Sequence, residues 1–162
     1  MKKILMVISV FSISLTAQAA QVTGFWKMSD NRTGKPVGIV RVYEENGVTL
    51  GKIVVPYHAN GTPGIVINEH GRAVCDETFL SSLPGRPPLC GLVVLNGFRF
   101  NQRRGFYDGG TITNPKTDRT YRAEMWVNDS GNLAVRGRWS IFSRKETARP
   151  FTEQQLAALF DL

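Results

Sequence analysis

The 162-residue sequence predicts an all-β fold, an antiparallel meander barrel of about eight strands with one pinned loop and a C-terminal helix. Three observations predict it. Apolar and polar residues alternate with period two in successive runs, turn-forming clusters separate those runs, and helical spacing occurs once, near the C-terminus. Residues 20–162 have the length of a single domain with a core of ordinary size.

Residues 23–28 (TGFWKM) form the first strand. The runs 37–44 (VGIVRVYE) and 48–55 (VTLGKIVV) follow, joined through Glu45-Asn46-Gly47. Asn-Gly between two alternating runs is the strongest short hairpin signal. Residues 92–100 (LVVLNGFRF) and 105–112 (GFYDGGTI) flank NQRRG and make a second hairpin. Gly109 and Gly110 inside that latter strand predict a bulge or a close backbone approach, the device that curves a sheet toward closure. Residues 113–119 (TNPKTDR) make a corner. Pro115 suits the second turn position, while Asn114 and Asp118 carry side chains that bond to nearby backbone. In the next strand, 120–127, Tyr121, Ala123, Met125 and Val127 share one parity and only Trp126 falls off the pattern. NDSGN then leads into a run in which Leu133, Val135, Gly137, Trp139 and Ile141 share one face. At least seven strands result, with no helical pattern between them.

Residues 57–91 do not fit a meander. Gly, Pro and polar residues dominate there, and connections of that length are usually functional or disordered. Phe79, Leu80, Leu83 and Leu89 give this one something to bury, and Cys75 and Cys90 are the only two cysteines in the chain. An even count in an exported chain predicts a disulfide, which contributes about 3 kcal/mol on the chain-entropy account. The segment reads as a pinned flap over one barrel end or as a structural insertion. Asp76 is placed to cap one short helical turn, with Phe79 and Leu83 on a common face. The C-terminal helix is better signalled. Thr152 and Gln155 form a capping box, Phe151 and Leu156 stand at the staple positions, and Leu156, Leu159 and Phe160 make an apolar stripe expected to dock on the sheet.

The first 19 residues read as a secretory signal peptide: a Lys2-Lys3 head, an apolar run over 4–15, and the small-residue pattern Ala17-Gln18-Ala19. A periplasmic or secreted protein is therefore expected. Excluding Lys2 and Lys3 from the 20 basic residues leaves a surplus of five over the 13 acidic ones. Arg103-Arg104 and the group Arg136, Arg138, Arg144, Lys145 and Arg149 are its local concentrations. Nucleic acid is a poor partner for an exported chain without a recognition motif. Anionic envelope polymers or lipid head groups suit the charge better than nucleic acid does, and solvated strand faces account for it more simply than either.

Several blocks carry a resemblance. GFWKMSDNRTGKPVGIVRVYEENGVTLGKI, the loop end PPLCGLVVLNGF, YDGGTITNPKTDRTYRAEM and LAVRGRWSIFSR are similar, in that order, to a family of exported bacterial proteins called domain of unknown function 2147. The resemblance covers nearly all of the chain past the leader. It implies a lipocalin-like barrel and no established activity. Gly24-x-Trp26 also resembles the Gly-x-Trp start of lipocalins, where a late arginine covers the tryptophan ring, an arrangement cation–π attraction favours. The resemblance gives that part to Arg138 or Arg144. Asp118 stands where the family usually has Gly, and Asp tolerates the left-handed conformation better than most residues.

Three classes of function follow. A barrel of this size holds side chains or one small ligand. In the ligand-binding reading, a small apolar molecule sits against Tyr121, Met125, Val135 and Trp139; in the bland reading these residues fill a core. The second class is an envelope interaction protein that uses its basic surface or stapled loop. The third is an enzyme, and the sequence speaks against it. It has no Gly-x-Ser-x-Gly elbow, no histidine pair at metal spacing and no free nucleophilic cysteine. No cofactor and no metal are expected.

Overall fold

The structure, a computed structural model, describes residues 21–139 and 142–161. The signal-peptide expectation falls outside the described residues, as do the side chains of Trp139 and Arg144. Among the described residues are ten strands and one helix: β1 (Gly24–Ser29), β2 (Pro36–Glu45), β3 (Val48–Pro56), β4 (Ile65–Ile67), β5 (Ala73–Cys75), β6 (Val93–Asn101), β7 (Phe106–Asn114), β8 (Arg119–Val127), β9 (Leu133–Trp139), β10 (Phe142–Phe151) and α1 (Glu153–Phe160). Eight strands close an antiparallel barrel in the order β1-β10-β9-β8-β7-β6-β3-β2, and β4 pairs with β5 as a separate hairpin. Closure removes every free sheet edge from the main body.

Local chemistry explains the turns. Asn46 and Gly47 both have positive φ (50° and 73°), the backbone that a two-residue hairpin turn demands. At the β7–β8 corner, the Asn114 side chain accepts from the Lys116 N–H at 2.9 Å, and Asp118 sits at φ 53°. Gly109 and Gly110 divide the two expected roles between them. Gly109, at φ 74°, lies in a register shift between Tyr107 and Gly110, which is the bulge. Gly110 lies under an aromatic ring: a Cβ there would stand 2.4 Å from ring atoms of Phe98.

One continuous cluster fills the barrel. Trp26, Val40, Val42, Ile53, Val94, Leu95, Phe98, Ala123, Met125, Leu133, Val135 and Ala148 are its barrel members, and Val22 joins it from just before β1. Phe98 and Met125 have no water-accessible surface at all. A side chain with none borders no water-sized void, so the middle of the barrel is packed. Trp26 is buried, and its indole N–H donates to the Val22 carbonyl at 2.8 Å.

The strand β10 closes the barrel by pairing with β9 on one side and β1 on the other. Its sequence, FSRKETARPF, has no apolar alternation, so the periodic reading that finds the other strands passes over it. The expected helical turn at Asp76 is corrected too: its carboxylate makes a side-chain turn, accepting from the Thr78 N–H at 2.9 Å and from the Thr78 hydroxyl at 2.6 Å. Those bonds, with the hydroxyl contributing most, hold the Asp76 carboxyl below its ordinary range. Segment 57–92 is tied down at several points. The Cys75–Cys90 disulfide spans a Cα separation of 6.1 Å, Gly91 N–H donates to the Ile53 carbonyl at 2.7 Å, and Ser82 N–H donates to the Pro115 carbonyl at 2.7 Å. The last bond joins the loop to the β7–β8 corner, while Leu89 and Leu92 pack on the barrel core. At the other end, α1 begins at the expected capping box, with Thr152 and Gln155 exchanging bonds of 2.9 and 3.0 Å. Its stripe of Leu156, Leu159 and Phe160 is half-buried, and none of the three is fully buried. No helix among the described residues is long and apolar enough to cross a membrane.

Candidate functional site

Odd-numbered residues of β8 face the core, so its even-numbered residues face out. Glu124 is one of them, yet it is only 5% exposed. Three arginines cover it. The β8–β9 hairpin sets Glu124 directly opposite Arg136 and Arg122 opposite Arg138. Arg136 donates to Glu124 Oε2 through both Nε, at 3.2 Å, and Nη2, while Arg138 Nη2 donates to Oε1 at 2.7 Å. Arg104 arrives from the β6–β7 turn. There the Asn101 side chain accepts from the backbone N–H groups of Arg103 and Arg104, which aims the latter back across β7 and β8. Arg104 Nη2 reaches Glu124 Oε1 at 3.1 Å, and its Nη1 lies 3.5 Å from Asp108.

Burial by itself would raise the pKa of Glu124. The hydrogen bonds and charges of Arg136 and Arg138 more than offset this and hold the carboxyl below its ordinary value, so it stays ionised at neutral pH. The guanidinium groups are therefore oriented from beneath. Each has five donors, of which Glu124 uses one from Arg104, two from Arg136 and one from Arg138. The three side chains are 46%, 36% and 54% exposed, respectively.

Two rings complete the face. The Arg104 guanidinium stacks on Phe106 at 4.2 Å, Arg136 and Lys145 lie over Trp126 at 5.4 and 5.5 Å, and the two ring centres are 6.3 Å apart. This is why Trp126 breaks the strand's parity. It faces outward and half-buried beneath cations. Among the described residues of this face, five cations (Arg104, Arg122, Arg136, Arg138 and Lys145) stand against two carboxylates, Asp108 and Glu124.

The residues expected to line a ligand cavity lie elsewhere. Met125 and Val135 are opposite each other in the packed cluster. Tyr121 is half-buried toward the loop-covered end, beside Ile112 and Gly137. Trp139 ends β9, with its side chain outside the described ones. Arg138 is not the arginine over Trp26. It projects to the outer face, whereas Trp26 projects into the core. Gly24 has φ 134°, a conformation that calls for glycine. The two histidines do not meet. His58 packs edge-on against Phe79 with ring centres 4.4 Å apart, and His70 lies beside Glu69 at 3.5 Å.

The charge concentrations read from sequence include Arg104, Arg136 and Arg138, but that reading does not include the buried Glu124 that gathers them, although its signal is present. A turn over residues 128–132 pairs Val127 with Leu133, and counting back along both strands sets Glu124 across from Arg136.

A closed eight-stranded antiparallel barrel with a C-terminal helix defines a lipocalin-like protein. A solved structure described as "Protein HP1028 from the human pathogen Helicobacter pylori belongs to the lipocalin family" is similar at TM-score 0.61 and 18% identity, over 88% of this chain and 93% of that one. The likeness is one of fold. The chain itself belongs to the bacterial family described as "Uncharacterized protein conserved in bacteria (DUF2147)", whose match spans residues 24–149. No match was found among curated proteins.

Proposed function

We propose that this is an exported, lipocalin-like binding protein that holds an anionic component of the cell envelope against the outer face of β7–β10. The observation that carries this reading is one buried carboxylate orienting three part-exposed guanidinium groups. Guanidinium donors held in fixed directions suit phosphate or carboxylate oxygens, because little rotamer freedom remains to be lost on binding. Trp126 and Phe106 supply an apolar floor beside the charges. Export rests on the leader-like residues 1–19 and on the disulfide, which belongs to an oxidising compartment.

Binding to immobilised inorganic polyphosphate and to phosphatidylglycerol vesicles tests the proposal. Arg136→Gln and Arg138→Gln are each expected to weaken binding about tenfold, a loss of one charge-assisted contact. Binding that both variants retain in full would overturn the assignment.

A second reading keeps a small apolar ligand inside the barrel. It is favoured by the half-buried Tyr121 and Ile112 at the end beneath segment 57–92, where the core is less completely covered. A ligand there enters under the loop and stops short of Met125. A panel of fatty acids, isoprenoids and aromatic amphiphiles read by tryptophan fluorescence separates the readings, because only this second one expects a response that Arg136→Gln leaves unchanged.

A further inference from the structure

Like charges set directly opposite each other across a sheet repel, and each such pair costs stability. The pairing register of this barrel makes four of them from cations. Arg138 of β9 faces Arg122 of β8, and Arg136 of β9 faces Lys145 of β10. Farther round, Arg149 of β10 faces Lys27 of β1, and Arg41 of β2 faces Lys52 of β3. All eight side chains are half-buried or exposed. Chain neighbours such as Trp26, Val42, Ala123 and Ala148 lie in the buried cluster, which puts the cations on the outer surface. Rings support three of the pairs. Trp126 lies under both Arg136 and Lys145, at 5.4 and 5.5 Å, and Tyr43 under both Arg41 and Lys52, at 6.0 and 5.4 Å. Lys27 lies over Phe151 and Tyr57, at 5.8 and 5.4 Å.

The four pairs follow one oblique line. From Phe25, which faces Arg41, the line advances two residues along β1 to Lys27, four along β10 from Arg149 to Lys145, and two along β9 from Arg136 to Arg138. Every step runs in the same direction along the barrel. The line covers about 24 Å around the barrel and about 27 Å along its strands. Among the described residues, few carboxylates accompany it. Glu124 is already shared by three arginines, while Glu45 at the β2–β3 turn and Glu153 on α1 stand beside its β2 end. Glu44 and Glu146 take the inward parities of β2 and β10, and Asp108 lies on β7, beyond the other end. The remaining acidic residues lie in turns, in segment 57–92 or at α1.

Two properties of the line select its occupant. An anionic group between the members of each pair turns their repulsion into attraction, so the partner repeats its negative charges. The line also passes over six of the eight strands of a closed barrel, so its two ends face different ways and no flat surface touches both. A bilayer reaches one part of it, whereas a flexible chain follows it round. We infer that the outer surface from β8 to β3 is a track for one linear, phosphate-bearing polymer, with a phosphate between the members of each cation pair. This rests on the anion-binding reading of the Glu124 cluster, which forms one end of the track, and it commits that reading to a polymer.

Calorimetric titration with long-chain polyphosphate, tripolyphosphate and phosphatidylglycerol vesicles tests this. At equal total phosphate, the long chain should bind about a hundredfold more tightly than tripolyphosphate, the gain from linked contacts. Arg41→Gln and Arg149→Gln, both at exposed positions outside the Glu124 cluster, should each weaken long-chain binding about fivefold. Arg41→Lys, which keeps the charge, should restore most of the loss. The inference is overturned by equal affinity for the long and short phosphates, or by vesicle binding that falls equally in Arg41→Gln and Arg136→Gln. Long-chain binding that is undiminished in Arg41→Gln and Arg149→Gln but weakened in Arg136→Gln removes the track and leaves the Glu124 site standing. Binding undiminished in Arg136→Gln and Arg138→Gln removes the Glu124 reading itself, and the track with it.

Discussion

Glu124 stays ionised while lying almost wholly out of water, and its cost is met by the guanidinium groups that cover it. A carboxyl held below its ordinary value in the folded chain stabilises the fold above its unfolded pKa. That contribution is lost as pH falls through the folded value. Wild-type protein is therefore expected to lose melting temperature progressively below about pH 4.5, and Glu124→Gln to lose less of it over the same range. At neutral pH the same substitution leaves three arginines without their shared acceptor, and should cost about 1–2 kcal/mol given their exposure. Thermal unfolding across pH measures both effects, and parallel curves for the two proteins would contradict the assignment. Two core positions are sharper still. Trp26→Ala should cost about 3–5 kcal/mol in denaturant unfolding, as for other large buried aromatics. Gly110→Ala drives a methyl group into the Phe98 ring and should cost about 1–3 kcal/mol, the range for overpacking. A loss well under 1 kcal/mol at either position would mean that the packing around it is looser than the geometry requires.

At the scale of elements, segment 57–92 is held by more than its covalent bridge. Backbone bonds fasten it to β3 and to the β7–β8 corner, and Leu89 and Leu92 anchor it in the core. The corner over 113–119, which has the polar and turn-forming residues of a binding loop, instead serves as the landing point for that segment. Replacing both cysteines with serine should lower stability by about 3 kcal/mol while leaving the barrel folded. Amide exchange should then quicken in residues 57–92 before it quickens in β8 and β9, since stapled loops open locally. The unfolded, unreduced wild type should contain no titratable thiol. Exchange that rises uniformly over the whole chain would show instead that the bridge supports the barrel itself.

For the whole molecule, the interior is packed along the middle of the barrel while charge and aromatic surface collect on its outside. Binding to an anionic polymer through Arg104, Arg136 and Arg138 should weaken steeply as salt rises, because part-exposed charges are screened over about 8 Å at physiological ionic strength. Measuring the affinity at low and high salt checks this, and an affinity indifferent to salt would contradict the assignment.

The sequence by itself determined most of the architecture. Period-two alternation marks β1, β2, β3, β6, β7, β8 and β9, Asn46-Gly47 marks the first hairpin, and the Thr152–Gln155 box marks the start of α1. The signal is strong there because one face of each strand is buried and the other wet. It fails at β10, which is held between β1 and β9 by backbone bonds and, among its described side chains, places Ala148 in the buried cluster. It fails also at β4 and β5, too short to show a period. Candidate sites depended on tertiary structure for a different reason. Alternation says which residues face inward, and it predicted Met125 and Val135 to do so; only the three-dimensional packing decides whether the space between them is empty. Phe98, folding over Gly110 from the neighbouring strand, is fully buried in the same cluster as these two residues. The arginine cluster likewise joins β8, β9 and a turn twenty residues away from Glu124, and these side chains act together only once the strands β7, β8 and β9 have paired.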